Sequence, residues 1–402
     1  MTVSRRAFLE TSVLTAVASR VRAPAVVPAE TKRRGEFDPW LEIDAGALAQ
    51  NVRVVSRLAG RPIIAVAKNN AYGCGLSTVG PLLDTQREIA GFAVVRPDEA
   101  RALHAAGVKK PVLLMGPASD SEALELARAG VRLAVYAPRD RDLVVGIARK
   151  LARPVGVHLY VDTGMHRMGL AHDQVLPWLE DAAFRRAMRI EGAFTELTED
   201  QEFDREQARR LAALRDRARG AGISLGQLHA ASSDAIARPT SETFLDAVRP
   251  GLMVYGGYPT PEMMARGELK PAYRLKARVI RVDTLAPGEG VSYHRRFMAT
   301  APTRTATLAI GHVDGYPTGA VKGCAALIGG TLCPVIGTVS ASHTVVSVAD
   351  GAGDVHPGTE AILVGSDHPT LHPNAVAKTS DWSEYNMFMH LNPSLARVVV
   401  TA

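Results

Sequence analysis

A regular alternation of short apolar runs with amphipathic stretches dominates the chain from residue 37 to about residue 255. The stretches between the runs carry apolar residues at helical spacing, as Ala208, Leu211 and Leu214 show. About eight strands that alternate with helices predict a parallel (β/α)8 TIM-like barrel, and a doubly wound sheet is the main alternative from periodicity alone. The predicted strands are Ile63 to Ala67, Gly91 to Val95, Pro111 to Met115, Val131 to Tyr136, Val155 to Val161, Ile190 to Phe194, Leu225 to Leu228 and Ala247 to Tyr255.

A second kind of sequence follows the barrel region. Residues 270–400 are rich in Val, Ile, Thr and Ala in alternating runs that Gly and Pro interrupt, which is typical of an all-β domain. The pair Gly329-Gly330 predicts a two-residue hairpin turn. The predicted fold class is therefore α/β, with a barrel over residues 38–262 and a C-terminal all-β domain over residues 263–402.

The composition excludes several classes of protein. The chain has 402 residues, of which 47% are hydrophobic and 22% are charged, as in a globular protein. No apolar run approaches the roughly 20 residues that a membrane span needs. The three cysteines (Cys74, Cys324 and Cys333) are too few for a disulfide scaffold, and no CxxC or Cys/His spacing predicts a metal site.

The N-terminus has the order of an export signal. Arg5 and Arg6 precede a Phe-Leu pair and a mildly apolar stretch, and a Val-Pro-Ala segment ending at Ala29 offers a cleavage site. This order predicts a twin-arginine signal over residues 1–29, a leader over residues 30–37 and a periplasmic or otherwise exported protein. An ordinary basic N-terminus is the alternative. Loss of the signal lowers the net charge from +6 to +3, which is too small to predict nucleic-acid binding.

The first predicted strand ends in a lysine. Ala65-Val66-Ala67 leads directly into Lys68. In a barrel, the carboxyl ends of the strands carry the chemistry, and a lysine there can act as a Schiff-base nucleophile and as a base. The alternative is a lysine that caps the strand and faces water, and this lysine considered alone favours that alternative.

Six segments occur in the same order as the motifs of the alanine racemases, a family that uses pyridoxal 5'-phosphate (PLP). Ala65 to Gly75, AVAKNNAYGCG, resembles the lysine motif AVVKANAYGHG of that family. The other five are similar to DTGMxRxG, HxANS, VRPGIxLYG, VSYGxTF and IGYADGYP, and they are Val161 to Gly169, His229 to Ser233, Val248 to Gly256, Val291 to Phe297 and Ile310 to Pro317. The resemblance spans residues 38–400, and six ordered motifs make it specific.

The resemblance implies two catalytic residues and a dimer. Lys68 would hold PLP covalently and act as the base on one face of the substrate Cα. Tyr293 would be the acid/base on the opposite face and would come from the partner subunit, so the site would require a homodimer. The basic run His294-Arg295-Arg296 places positive charge beside this phenol. A strand tyrosine with its hydroxyl in solvent is the alternative for Tyr293.

The resemblance places Arg249 at the pyridine nitrogen of the cofactor. A guanidinium does not give up its proton, so it would keep that nitrogen unprotonated and disfavour side reactions such as transamination. Decarboxylases with the same barrel place a carboxylate there, so Arg249 favours a racemase. An arginine at the barrel rim, paired with Asp246, is the alternative.

The cofactor phosphate requires hydroxyls and backbone donors. By the resemblance these would come from Tyr72, Ser233, the backbone at Gly251 and Leu252, and Tyr385. A turn glycine and a packing aromatic are the alternatives for Gly251 and Tyr385.

The resemblance also implies a site for the substrate carboxylate. Arg167 would bind that group and the phenolate oxygen of the cofactor. A loop arginine paired with Asp162 is the alternative. PLP and a small amino acid are thus the expected ligands.

The chain departs from the family pattern at several positions. Tyr160 stands where many members have a lysine that positions the arginine, so Arg167 must be oriented another way, by an anion or by Tyr160. Glu196 replaces a histidine expected to hydrogen-bond Arg249, which a carboxylate can also do. His312 replaces a tyrosine at the substrate entrance, and Ala341 replaces a methionine of the substrate pocket, which should widen it.

Three functions are consistent with these residues. The first is an exported PLP-dependent racemase that acts on alanine or on larger amino acids. The second is a PLP-dependent lyase, such as an aldolase or a decarboxylase, against which Arg249 and Tyr293 argue. The third is a catalytically silent protein that binds PLP or an amino acid, which the substitutions at residues 160, 196 and 341 leave open.

Overall fold

The computed structural model describes residues 35–238 and 241–401 of the chain. The predicted signal, residues 1–29, and residues 30–34 of the predicted leader lie outside the described residues. In the described ranges, no helix is long and apolar enough to cross a membrane. The same ranges contain no group of three or more His, Cys, Asp and Glu side chains arranged to hold a metal ion.

The first strand, β1 (Trp40–Asp44), lies outside the barrel. It pairs with Tyr273–Leu285 and with Ala396–Val400, both in the sheet of the C-terminal domain. The predicted barrel range therefore includes one strand that the structure places in the other domain. This strand is not among those predicted, and long-range contacts decide its partners. Asp44 then caps the first helix, because its carboxylate accepts the Ala47 N–H at 2.8 Å.

Parallel strands form the barrel wall, and helices connect them. The strands are β2 (Ile63–Val66), β3 (Ile89–Val94), β4 (Val112–Leu114), β5 (Arg132–Val135), β6 (Val155–Asp162), β7 (Leu170–Ala171), β8 (Met188–Phe194) and β9 (Gln227–His229). The helices are α1 (Ala45–Ala59), α2 (Lys68–Tyr72), α3 (Leu76–Asp84), α4 (Pro97–Ala105), α5 (Asp120–Arg128), α6 (Asp140–Leu151), α7 (Val175–Leu179), α8 (Ala182–Ala187), α9 (Gln201–Gly220), α10 (Ser233–Ala237) and α11 (Pro261–Arg266). The wall follows the order β2-β3-β4-β5-β6-β8-β9, and β7 pairs beside β6.

A short extended segment closes the barrel between β9 and β2. Val248 exchanges backbone hydrogen bonds with both neighbours of Ile63, and Arg249 donates its backbone N–H to Ala231 at 2.7 Å. The prediction of a strand from Ala247 to Tyr255 is wrong for its second half, because Leu252–Tyr255 is a 3-10 helix. Pro250 lacks an N–H, and the chain turns after it. The barrel itself is confirmed.

The C-terminal domain is an antiparallel sheet that closes on itself. Its strands are β10 (Tyr273–Leu285), β11 (Gly290–Val291), β12 (Phe297–Met298), β13 (Thr303–Leu308), β14 (Ala325–Ile328), β15 (Thr331–Ile336), β16 (Thr344–Ser347), β17 (Glu360–Val364) and β18 (Ala396–Val400), and two helices, α12 (Pro373–Thr379) and α13 (Glu384–Met389), accompany them. The path β10-β13-β16-β15-β14-β17 returns to β10, and β1 and β18 extend the sheet beside it. The predicted β domain is confirmed.

The predicted hairpin is present between β14 and β15. Ile328 pairs with Thr331 across Gly329-Gly330, and both glycines have positive φ, as the two-residue turn requires. The same register sets Cys333 opposite Ala326. Cys74, Cys324 and Cys333 are buried thiols, and none of them is in a disulfide.

Candidate active site

Lys68 lies where β2 ends, at the first residue of α2. The four residues after it have φ between 53° and 57°, so α2 is a turn of left-handed helix built from residues with side chains. Left-handed backbone costs on the order of 1 kcal/mol or more for each such residue. A turn of this kind persists only when its surroundings hold it in place.

Two distant elements hold the lysine turn. Glu99 at the start of α4 accepts the backbone N–H groups of Asn69, Val95 and Arg96, and its side chain is buried. On the other side, the fully buried guanidinium of Arg397 on β18 donates two hydrogen bonds to the Gly73 carbonyl, at 3.1 and 2.8 Å. The position of Lys68 is therefore set by both domains.

A cavity of about 230 Å³ opens beside Lys68 at the carboxyl ends of the barrel strands. The residues predicted for this site that line it are Lys68, Tyr72, Arg167, Ser233, Arg249, Gly251 and Tyr385. A second cavity, of about 320 Å³, shares Lys68, Arg167 and Glu196 with the first and is also lined by Tyr160. Of the predicted residues, Leu252, Tyr293 and Ala341 line neither cavity.

One end of the first cavity is built from hydroxyls around Gly251. Ser233 Oγ accepts the backbone N–H groups of Gly251 and Met253, at 3.1 and 3.2 Å. A Cβ at residue 251 would collide with the Tyr72 hydroxyl. Leu252 begins the 3-10 helix here and its side chain is fully buried. A side chain at residue 251 would therefore displace Tyr72 from this end of the cavity.

Tyr72 and Tyr385 present neutral hydroxyls to this end of the cavity. Burial raises the pKa of Tyr72, and Tyr385 and Glu196 raise it further. Burial also raises the pKa of Tyr385, with Glu199 next in effect. Tyr72 stacks on Tyr255 at 4.7 Å between ring centroids. Two phenols that keep their protons can donate hydrogen bonds to an anion.

Arg249 is 3% exposed, and both of its terminal nitrogens donate hydrogen bonds to protein acceptors. Nη1 donates to the Nδ1 atom and the carbonyl of His229, at 2.9 and 2.7 Å. Nη2 donates to the Thr195 carbonyl at 2.7 Å, to Glu196 Oε1 at 3.0 Å and to the Ala230 carbonyl at 3.2 Å. Among the described residues, no acceptor lies on Nε–H, which is the donor left for a ring nitrogen in the cavity. Asp246, the alternative partner of Arg249, pairs with Arg215 instead.

Arg167 lies beside a carboxylate and a tyrosine rather than beside Asp162. The expected alternative partner, Asp162, binds His166 at 3.1 Å. Arg167 Nη2 lies 3.7 Å from Glu196 Oε2. Burial and then Glu196 raise the pKa of Tyr160, and the neighbouring Arg167 opposes that rise. Glu196 and Tyr160 are thus the groups that flank Arg167.

Tyr293 and Ala341 lie together on the surface of the C-terminal domain. Tyr293 is 67% exposed, in the 3-10 helix Tyr293–Arg295. The Tyr293 carbonyl accepts a hydrogen bond from the Thr338 hydroxyl at 3.3 Å. Ala341, which is exposed, lies three residues after Thr338 in the chain. Val313, which is also exposed, donates its N–H to the Ala341 carbonyl at 3.1 Å. We call these three residues, Tyr293, Val313 and Ala341, the Tyr293 face.

Comparison with known proteins agrees with this geometry. The family model for the N-terminal domain of alanine racemase matches residues 43–259, and the model for its C-terminal domain matches residues 272–399.

The chain belongs to the alanine racemase family.

Relatives and solved structures of this family resemble most of the chain. The alanine racemase of Mycobacterium tuberculosis is 34% identical over 354 residues, which are 85% of this chain and 89% of that protein. The alanine racemase structure from Streptomyces lavendulae has a TM-score of 0.82 and 26% identity, over 91% of this chain and 98% of that one. The structure from Bartonella henselae, described with covalently bound pyridoxal phosphate, is similar in fold, with a TM-score of 0.75, 22% identity and coverage of 90% and 99%. As a member of this family, the chain is a racemase, an isomerase.

Several residues that build the racemase site have no role that sequence patterns predict. Glu99 carries a helix-capping signal, since Pro97-Asp98-Glu99 is typical of a helix start, but that signal does not reveal its bond to Asn69. His229 lies inside a motif, yet its contact with Arg249 is visible only in the fold. No local pattern marks Arg397.

Two histidines continue the network below Arg249. Since His229 Nδ1 accepts from Arg249, its Nε2–H donates to His158 Nδ1 at 2.8 Å. Burial lowers the pKa of His158 to about 4, and the pKa of His229 lies well below its usual value because of burial, Arg249 and His158. Both rings are therefore neutral at pH 7.

We expect the protein to lose stability between about pH 6.5 and pH 4 for this reason. The unfolded histidines bind protons near pH 6.5 while the folded ones do not, so acid favours unfolding until the folded pKa is reached. His158 alone should contribute about 3 kcal/mol across that window. Urea unfolding at pH 7, 6, 5 and 4.5 measures this loss, and His158→Gln should flatten it. A free energy of unfolding that stays constant from pH 7 to pH 5 would contradict the assignment.

Proposed function

We propose that this chain interconverts the L and D enantiomers of alanine, and of amino acids larger than alanine, by a two-base mechanism. Its cofactor is PLP. The observation that carries the proposal is the set of groups on one cavity: Lys68, the Nε–H of Arg249, and the hydroxyls of Tyr72, Ser233 and Tyr385. Lys68 suits an aldehyde, Arg249 suits a ring nitrogen and the three hydroxyls suit a phosphate. All of these residues line the same cavity.

PLP, once bound to Lys68, supplies the electron sink that makes the Cα–H of an amino acid acidic. Lys68 Nζ removes or returns a proton at one face of that carbon. Arg167 binds the substrate carboxylate and fixes the orientation of the Cα. Arg249 donates its Nε–H toward the ring nitrogen and keeps its own proton, so that the nitrogen is not protonated.

The second base comes from a second copy of the chain. Racemisation needs an acid/base group on the face opposite Lys68, and Tyr293 lines neither cavity of its own chain. The Tyr293 face is exposed and partly apolar, and such a patch on a folded domain is typical of an association surface. A homodimer with two-fold symmetry would place each Tyr293 at the other chain's Lys68.

The proposal of larger substrates is based on Ala341 of the Tyr293 face and on His312, which precedes Val313 in the chain. His312 and Ala341 would stand at the entrance and wall of the partner's site, and the small Ala341 side chain would leave room there. One methylene changes discrimination by only about 1–3 kcal/mol, so several such changes are needed to move specificity away from alanine. We also propose that the protein is exported, which is supported by the Arg5-Arg6 order in the sequence.

A chiral assay of the purified, PLP-loaded protein tests the proposal. The substrates are single enantiomers of alanine, serine, lysine, arginine and methionine. Conversion of each enantiomer into its mirror image supports a racemase, and conversion of alanine alone rejects the wider substrate range. A visible cofactor band without conversion of any substrate would reject the racemase in favour of a silent binder, and carbon–carbon cleavage would favour a lyase.

A further inference from the structure

Glu196 lies between two arginines that serve different parts of the cavity. It follows β8 by two residues, and its side chain is 25% exposed. Oε1 accepts a hydrogen bond from Arg249 Nη2 at 3.0 Å, while Oε2 lies 3.7 Å from Arg167 Nη2. Each oxygen of one carboxylate therefore engages a different guanidinium.

The Glu196 carboxylate is the counter-ion of the Arg249 guanidinium within the described part of the chain. The other acceptors on Arg249 are three backbone carbonyls and the neutral His229 ring. Within residues 35–238 and 241–401, Glu196 is the one carboxylate paired with Arg249. A buried guanidinium without a counter-ion is strongly unfavourable, so Glu196 stabilises Arg249 in the orientation that leaves Nε–H toward the cavity.

Arg167 depends on the same group. Its side chain is more than half exposed, and its ion pair in the described part of the chain is the one with Glu196. Tyr160 flanks it with a hydroxyl that burial keeps protonated and that carries no charge. Loss of Glu196 would leave this exposed arginine with the Tyr160 hydroxyl as a hydrogen-bond partner and without an ionic partner, so it would be held less firmly.

We propose that Glu196 is a positioning residue that holds Arg249 and Arg167 in one charge-paired frame. The frame fixes the donor for the cofactor ring nitrogen and the cation for the substrate carboxylate relative to each other. This inference rests on the proposed function, because it takes PLP and an amino-acid carboxylate as the ligands of the two arginines.

The same strand offers a matched control. Glu191, in the middle of β8, also joins two arginines: its oxygens lie 2.9 Å from Arg132 Nε and 2.6 Å from Arg189 Nη2. Its exposure, 24%, matches that of Glu196, and it lines neither cavity. Glu191→Gln removes one carboxylate charge from β8. It leaves the contacts of Glu196 with Arg249 and Arg167 in place.

The test compares Glu196→Gln, Glu196→Asp and Glu191→Gln in the full-length protein. Three quantities are measured: the dissociation constant of PLP by absorbance, the shift of the cofactor spectrum by propionate, and kcat and KM for alanine. Propionate has the carboxylate of alanine and lacks its amino group, so it reports on Arg167 without turnover. Thermal unfolding of each variant gives the structural cost.

We expect Glu196→Gln to weaken PLP and propionate binding by about tenfold each and to raise KM more than it lowers kcat. Glu196→Asp should recover part of each effect, and Glu191→Gln should lower stability alone. The frame is rejected if Glu196→Gln resembles Glu191→Gln, or if propionate does not perturb the wild-type spectrum. A wild type without racemase activity would reject the proposed function, while the two binding constants would still decide whether Glu196 sets the arginines.

Discussion

Lys68→Ala should abolish the visible absorbance of protein-bound PLP and lower racemisation by more than about 10³-fold. In the proposed mechanism the side chain supplies both the covalent link to the cofactor and one of the two bases, so no neighbouring group would replace it. The glutamate and the arginine that hold the lysine turn bond to the backbone of Asn69 and Gly73, so the turn should keep its shape in the variant.

Absorbance spectra, a chiral assay and thermal unfolding of the Lys68→Ala variant measure this prediction. Unfolding close to that of the wild-type apoprotein is the control for an intact fold. Residual racemisation within tenfold of wild type would contradict the role of Lys68.

Tyr293→Phe should retain the cofactor absorbance and lower turnover by about 10²- to 10⁴-fold. Removal of the phenol hydroxyl should not disturb packing, because Tyr293 is 67% exposed in the single chain. The two directions of racemisation should lose unequal amounts of turnover. Exchange of the Cα proton with solvent deuterium measures each direction. A variant that racemises at the wild-type rate would show that Tyr293 is not the second base.

Mixing the two variants distinguishes a site shared between subunits from a site within one chain. In a heterodimer of Lys68→Ala with Tyr293→Phe, a shared site pairs the intact Lys68 of one chain with the intact Tyr293 of the other. Random exchange of subunits should then restore about a quarter of the wild-type activity per site, because half of the dimers carry one intact site. A site within one chain would recover nothing, since every chain would lack one base. Size-exclusion chromatography of the mixture controls for dimer formation.

Local sequence predicts the parts of this fold that local physics decides. The alternation of apolar runs predicts the barrel wall, and the Gly329-Gly330 pair predicts the β14–β15 register. The carboxyl ends of the strands carry the chemistry of a barrel, so Lys68 is predicted to lie at that edge, while the resemblance adds Arg249; the structure brings both to one cavity. The resemblance supplied the remaining residues of that cavity.

The parts that the sequence did not predict depend on contacts between distant residues. The strand β1 is not among those predicted, and its place beside β10 and β18 depends on such contacts. The tyrosine at residue 160 indicates that Arg167 needs another anchor, and only the fold shows that the carboxylate bound to Arg249 also reaches Arg167. The separation of Tyr293 from Lys68 within one chain is likewise a property of the assembled domains.

The pairing of β1 with β18 constrains how the chain can fold during synthesis. Trp40 lies beside Ala396, so the first and last described strands of the chain are neighbours, and such contacts of long sequence separation form late. Arg397, on the same last strand, is also the group that binds the Gly73 carbonyl next to the lysine turn. A ribosome-bound chain therefore cannot hold Lys68 in its final position until Arg397 has emerged. Deletion of β18 would act first on the turn that carries Lys68, although the two segments are distant in the sequence.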